Sequence, residues 1–446
     1  MSGENNVGEQ VAAYAVGQAV SFPLNLLFDL LIARALGPAL RGQWFLVLAA
    51  VTFLANLLSF SIPAYAVYRL GKEPSAAGFL NVAALTYAGI VATVGVGSAL
   101  LLPHVGLVER VGFVTPSLWV VAGVLMAAEL YILCSTGLLT GLGRIRTLSR
   151  LNMATAAITL VVGAGPVLVL RPSAVGALAS YLVARVVAAT LMAWAVGAFR
   201  GPKERGSTGL VRDMVRFGVA GQLGNLAVLT YQRVTLFLVG VLAGTQAAGY
   251  YSVAESLSTR VTVLVGPLQV AFTPRISGSN PPSAARWTAQ LIRIAGLLLV
   301  CVGVPLIVLA GVLVRALYGR DFTPAAGVFR LLLPAAALTT LASLVSVFFS
   351  GHLGRPMINS VVSLTTMAIS IPLSYILVRN FGMTGGAWSA LISAVVIFSL
   401  VYGVFVARNR GAVGAGLLPR RTDWDVLRDT AAAVLRLRRL RGIRDR

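Results

Sequence analysis

The sequence predicts an all-α polytopic membrane protein of about twelve transmembrane helices, six followed by six in a parallel repeat. Three observations predict it. Hydrophobic residues make up 57% of the 446 and charged residues only 11%, against about 25% in a typical soluble domain, so the bilayer must be the solvent for much of the surface. Apolar segments long enough to span, roughly 20 residues each, recur along the chain. The first half of the chain also matches the second in order and spacing.

The spans are expected at about 11–35, 43–67, 77–102, 117–140, 149–170, 174–198, 214–242, 247–273, 289–314, 325–350, 357–378 and 384–407. The breaks between them are short and carry Gly, Pro and Arg, as in GKEP (71–74), RGPKERGST (200–208) and SGSNPPS (277–283), the composition of turns. The chain then divides into an N-terminus (1–10), an N-lobe (11–200), a linker (201–213), a C-lobe (214–407) and a basic tail (408–446). The first ten residues contain Glu4 and Glu9 but no Lys or Arg, unlike the basic start of a secretory signal, so the first apolar segment reads as a retained helix. Cys134 and Cys301 lie inside apolar segments with no disulfide or metal-ligand spacing, and are expected as small buried residues. His104 and His352 have no partner at ligand spacing. No cofactor is implied.

The net charge is +22. Nucleic-acid binding is the usual suspicion for so basic a chain, but the basic residues segregate. Most of those outside the spans fall on the side that holds both termini, even when the tail is left out. The positive-inside rule then places both termini in the cytoplasm and the chain in the inner (plasma) membrane. Within the tail, Thr422 is a candidate N-cap followed by Asp423 and Asp425, which suit a helix start. Trp424, Leu427, Ala431, Val434 and Leu435 form an apolar stripe, followed by Arg436, Arg438, Arg439 and Arg441. Such a helix suits the surface of the anionic cytoplasmic leaflet, with docking of a partner enzyme as the alternative and no expectation of nucleic acid.

The internal match appears at a shift of 207 residues, which carries Gly17 onto Gly224, Gly37 onto Gly244, Gly42 onto Gly249 and Trp44 onto Tyr251. "TGLGR" (140–144) resembles "GHLGR" (351–355), and at a shift of 210 "VGALASYLVA" (175–184) lies over "GGAWSALISA" (385–394). Six spans repeated six spans later are related about an axis along the membrane normal, and transporters built this way keep their substrate site between the halves.

At "IARALGPALRGQW" (32–44) the chain resembles the polysaccharide biosynthesis, or Wzx-type oligosaccharide flippase, family of the multidrug/oligosaccharidyl-lipid/polysaccharide exporter superfamily. The shared pattern is Ala33-Arg34-Ala35-Leu36-Gly37 followed by Gly42 and Trp44, with "AAGYYSVAESLS" (247–258) and "TPRIS" (273–277) as its second-half counterparts. The resemblance implies two six-helix lobes around a central cavity, and as cargo a lipid-linked glycan on undecaprenyl pyrophosphate, turned over by alternating access. Enzymes of glycan assembly are the implied neighbours. Coupling to a proton or sodium gradient or to the membrane potential is left open.

Six ionisable residues fall well within the spans: Asp29, Glu129, Arg185, Arg233, Glu255 and Arg260. Each is costly at mid-membrane unless it faces protein or water. By analogy with the superfamily, whose helices 1, 2, 7 and 8 line the cavity, Asp29, Arg233, Glu255 and Arg260 face it. Arg233 and Arg260 would hold the anionic head group, since a guanidinium stays charged and donates a planar pair of hydrogen bonds. Asp29 and Glu255 would pair with them in the empty state or titrate; permanent inter-helix pairing is the alternative. Glu129 and Arg185, at similar depth in one lobe, read as a structural ion pair, with cavity lining as the alternative. Gln18, Ser21, Asn25 and Asp29 share one helical face, and Pro23 within it predicts a bend. Polar packing between helices is the other reading of that face.

The alternatives within transport are a drug or cation antiporter and a peptidoglycan lipid II flippase of the same superfamily. A membrane glycosyltransferase or polymerase needs outer-loop carboxylates or another reactive constellation, and the outer loops carry only Glu109 and Asp321. The chain is therefore not expected to be an enzyme.

Overall fold

The computed structural model describes residues 2–60, 62–70, 73–101, 116–169, 173–197, 208–353 and 355–409. Within them the chain is all-helical. Nine helical runs are long and apolar enough to cross a membrane, and they resolve into twelve spans once three joints are recognised. Ser2–Leu58 is two spans joined at Gly37, and Pro356–Arg408 is two joined at Gly382. The eighth span escapes the count because Thr245–Thr262 and Gly266–Ser277 are separated by one 3-10 turn at Val263–Val265. The others are the helices Ala77–Leu101, Pro116–Gly141, Ile145–Val169, Ala174–Val196, Thr208–Ala243, Pro281–Val308 and Ala325–Val347.

Local chemistry places the breaks. Gly37, Gly244 and Gly382 take φ of 68°, 90° and 58°, a left-handed region that costs side-chain-bearing residues energy but not glycine. Each therefore allows a helix to stop and the next to start within a residue. Ser173 and Asn280 accept hydrogen bonds from the backbone N–H of Gly176 and Ser283, capping the helices they precede. Pro23 sits inside continuous helix, and the residue with non-helical dihedrals in that run is Gly37.

Several expected boundaries move. The helix expected from 214 begins at Thr208, inside the expected linker. The second span, expected unbroken over 43–67, starts at Pro38 and is interrupted after Leu58, where Phe60 takes φ 42°. The ninth span, expected over 289–314, runs from Pro281 to Val308. A separate short helix, Ala310–Tyr318, follows it. Both segments are apolar, so hydropathy alone cannot see the break at Leu309. Cys134 is buried, but Cys301 is exposed. It shares its flank with exposed Val300, Val304 and Val308, an apolar surface suited to lipid.

Most of the extensive helix pairings fall within residues 2–196 or within 208–408. Examples are Ala77–Leu101 with Pro116–Gly141 and Thr208–Ala243 with Pro356–Arg408. The two groups meet mainly where Ser2–Leu58 packs on Thr245–Thr262. That meeting is reciprocal. A Cβ on Gly42 would overlap the carbonyl oxygen of Thr245, and one on Gly249 would overlap that of Pro38. Likewise a Cβ on Gly17 would strike Ser149 and one on Gly224 would strike Ser360. Backbone packed this closely leaves no room for a methyl group.

Gly42→Ala is therefore expected to lower stability by about 1–3 kcal/mol, the usual cost of overpacking. Gly89→Ala, with nothing within 4 Å of its new Cβ, should not lower it. Thermal unfolding of the purified variants in detergent measures both.

Candidate functional site

The Gly37 turn folds the second span back on the first, so that Arg41 reaches Asp29. The two form an ion pair in which Arg41 is fully buried. The Arg41 guanidinium also lies 4.9 Å from the ring centre of Trp44 and 5.6 Å from that of Phe45, where an aromatic face attracts a cation. Asp29 then gathers groups from the other half of the chain. Its Oδ2 accepts hydrogen bonds from Ser256 Oγ at 2.9 Å and Tyr318 Oη at 2.7 Å. Arg260 stands 3.8 Å from the same oxygen. Ser252, Ser256 and Arg260 recur every four residues on one face of Thr245–Thr262, and Arg41 Nε donates to Ser252 at 3.4 Å. Nearby, Arg34 donates to the carbonyls of Ala316 and Leu317, at 2.6 and 2.8 Å, capping the end of the helix that carries Tyr318.

Charge is unevenly distributed around this cluster. Arg41 already neutralises Asp29, so Arg260 is the surplus cation. One of its terminal nitrogens donates to the Asn25 carbonyl at 3.1 Å, while its buried Nε has no partner among the described residues. The other expected charges form balanced pairs. Arg233 lies 3.3 Å from Glu255. Arg185 grips Glu129 with two parallel hydrogen bonds of 2.6 Å, the strong bidentate geometry.

Three cavities adjoin these groups. A cavity of about 370 Å³ in the first half is bounded by Ser21, Trp44, Asn152, Thr155, Tyr181 and Arg185, among others. A cleft of about 270 Å³ between the first and eighth spans is lined by Phe22, Ser256, Thr259 and Val263. Gln18, Asn25 and Arg260 line both. A third, of about 230 Å³ in the second half, contains Tyr231, Gln232 and Glu255. Along the first helix Gln18, Ser21 and Asn25 precede Asp29, whereas Gly37 follows it.

The expected residues are thus placed as follows. Gln18, Asn25, Asp29 and Arg260 come together at one cavity, whereas Arg233 and Glu255 meet beside another. The tight partner of Asp29 is Arg41, not Arg260. Counting residues put Arg41 in an outer loop. The early start of the second span at Pro38 instead puts it in the first turn of a buried helix. Ser252, Ser256 and Tyr318 were also missed; the four-residue spacing of the two serines with Arg260 was the available signal. The expected amphipathic tail and His104 fall outside the described residues, apart from 408 and 409.

A model of the family described as polysaccharide biosynthesis protein matches residues 7–279. The chain belongs to that family. No curated protein matches it. The fold of this polysaccharide biosynthesis protein is shared with solved multidrug resistance MATE transporters of the MOP superfamily. An outward-facing one superposes with a TM-score of 0.65 at 17% identity, covering 90% of this chain and 96% of the other. An inward-facing one gives 0.67 at 16%, covering 90% and 100%. The family resemblance read from 32–44 and 247–277 is thereby shown, and the superpositions show a fold shared with MATE transporters of the MOP superfamily.

Within this family member, removing one partner of the buried pair strands the other's charge. Asp29→Leu is expected to cost about 3–5 kcal/mol, and adding Arg41→Met should recover most of it. A double-mutant cycle on thermal unfolding reads the coupling.

Proposed function

We propose that the protein is a flippase that moves a lipid-linked oligosaccharide or polysaccharide precursor, carried on undecaprenyl pyrophosphate, across the inner membrane. The observation that carries this reading is the surplus cation at Arg260. It borders both the cleft between the halves and the first-half cavity, with its Nε unpartnered. A pyrophosphate offers the acceptor oxygens that a guanidinium lacks there. A cationic drug would meet repulsion at the same point, which argues against an antiporter.

Movement is by alternating access between two six-helix lobes related as a parallel repeat around a central cavity. The reciprocal glycine contacts support the repeat: Gly42 meets Thr245 as Gly249 meets Pro38, and Gly17 meets Ser149 as Gly224 meets Ser360. The halves are joined at the end that bears the Gly37 and Gly244 turns. With both termini in the cytoplasm, as the distribution of basic residues favours, that joined end is outer and the cleft faces inward, ready for cargo made in the cytoplasm. Glycan assembly enzymes would supply it, and the basic tail would rest on anionic lipids. The second-half cavity suits a coupling proton or cation, since Glu255 Oε2 is buried without a partner among the described residues.

Arg260→Gln should reduce transport at least tenfold, with lipid-linked glycan accumulating on the cytoplasmic face of cells that rely on the variant. Arg260→Lys, which keeps the charge but loses the fork, should fall between. Wild-type flipping by an Arg260→Gln protein present at normal levels would refute the proposal.

A further inference from the structure

We infer that the first-half cavity is a carbohydrate subsite, which takes the uncharged sugar ring next to the pyrophosphate while Arg260 holds the phosphate. The inference rests on the function proposed above and adds to it the direction in which the head group lies.

The chemistry of the cavity wall is the first ground. Ser21, Asn152, Thr155 and Thr159 supply hydroxyl and amide groups, which both donate and accept hydrogen bonds, as sugar hydroxyls do. The fixed charges at the edge are already matched: Arg185 by Glu129 and Asp29 by Arg41. Apart from Arg260 at the mouth, the lining thus suits a neutral, hydroxyl-rich guest.

The second ground is two buried polar groups left without partners. Ser21 is 6% exposed and Trp44 is 3% exposed; both line this cavity, and neither Ser21 Oγ nor Trp44 Nε1 has a hydrogen-bond partner among the described residues. Buried unpaired groups cost about 1–3 kcal/mol each. Packing gives no reason to keep a serine there, since alanine would fill nearly the same space without the cost. Hydroxyls of a ligand in this cavity would supply the missing partners.

The third ground is shape. The ring of Tyr181 stacks on Phe28 at 5.8 Å and meets the edge of Trp44 at 6.0 Å. These mutually braced rings give the cavity a rigid aromatic wall, against which the apolar C–H face of a pyranose packs. The volume, about 370 Å³, falls in the range of small-molecule sites, roughly 300–1,000 Å³. The second-half cavity is smaller and contains Glu255 rather than Arg260, so a carboxylate would stand where the phosphate must approach.

The test uses the full chain in lipid nanodiscs with three probes: a polyprenyl pyrophosphate without sugar, and the same lipid bearing one hexose or one N-acetylhexosamine. The wild-type protein should bind at least one sugar-bearing lipid more tightly than the bare one. Asn152→Leu should lower that affinity about tenfold, because a site built to bond a polar group discriminates strongly when the bond is lost, and leave the bare lipid unaffected. Ser21→Ala should weaken the sugar-bearing lipid severalfold without lowering the melting temperature of the empty protein; a merely structural serine would show the reverse. Equal binding of all three lipids by the wild-type protein overturns the subsite. So does a sugar-lipid affinity indifferent to both substitutions, or loss of both lipid classes together in Asn152→Leu. If Arg260→Gln still weakens the bare lipid in those cases, the flippase reading stands without the subsite. If the wild-type protein binds none of the three lipids, both readings fall.

Discussion

A carboxylate cannot stay ionised alone in the interior of a membrane protein, and the arrangement around Asp29 follows from that constraint. Its cation, Arg41, is twelve residues away in sequence and comes within reach because Gly37 lets the chain reverse between them. With the pair formed inside one hairpin, the second oxygen of Asp29 is free to accept Ser256 and Tyr318 from the other half. The same neutralisation leaves Arg260 without a carboxylate of its own. The closed end of the molecule and the surplus charge at the cleft are thus two consequences of one buried pair.

The glycine contacts recur in both halves and the charges do not. A shift of 207 residues maps the contact glycines onto one another, but it maps Asp29 onto Leu236, Arg41 onto Ala248, Glu255 onto Leu48 and Arg260 onto Phe53. The helices on both sides pack equally closely where the glycines meet. Close packing therefore accounts for the glycines without requiring the ionisable groups. The ionisable groups are not a requirement of the repeated packing.

Much of this was legible in the sequence, and the exceptions share a cause. Spans are visible because each needs a long apolar run, and buried charges because they interrupt one. The Glu129–Arg185 pairing was inferable from depth alone, since both fall mid-span within the same half. Arg41 was not: four residues past a glycine, it reads as loop by hydropathy, and only the abrupt turn at Gly37 puts it in a buried helix. Tyr318 gave no signal, because its helix looks like the end of the preceding span. Where a break lies between two apolar segments, or a charge beside a turn, position along the chain does not determine depth.

The distribution of bonds at the closed end bears on how it could open in the proposed cycle. The costly interaction, Asp29 with Arg41, lies within one hairpin and would move as a unit. What crosses between the halves there is hydrogen bonding: from the Ser256 and Tyr318 hydroxyls to Asp29, from Arg34 to the carbonyls of Ala316 and Leu317, the long contact from Arg41 to Ser252, and Arg260 at 3.8 Å. A hydrogen bond to a charged group contributes about 1.5–3 kcal/mol, but Asp29 keeps Arg41 when these bonds break, so separating the halves at this end need not strand that carboxylate in the membrane. A phosphate on Arg260 would also compete with Asp29 for the guanidinium and loosen one of the crossing contacts. Only a ligand that interacts differently with the two states can shift their balance, and an anion at Arg260 meets that condition.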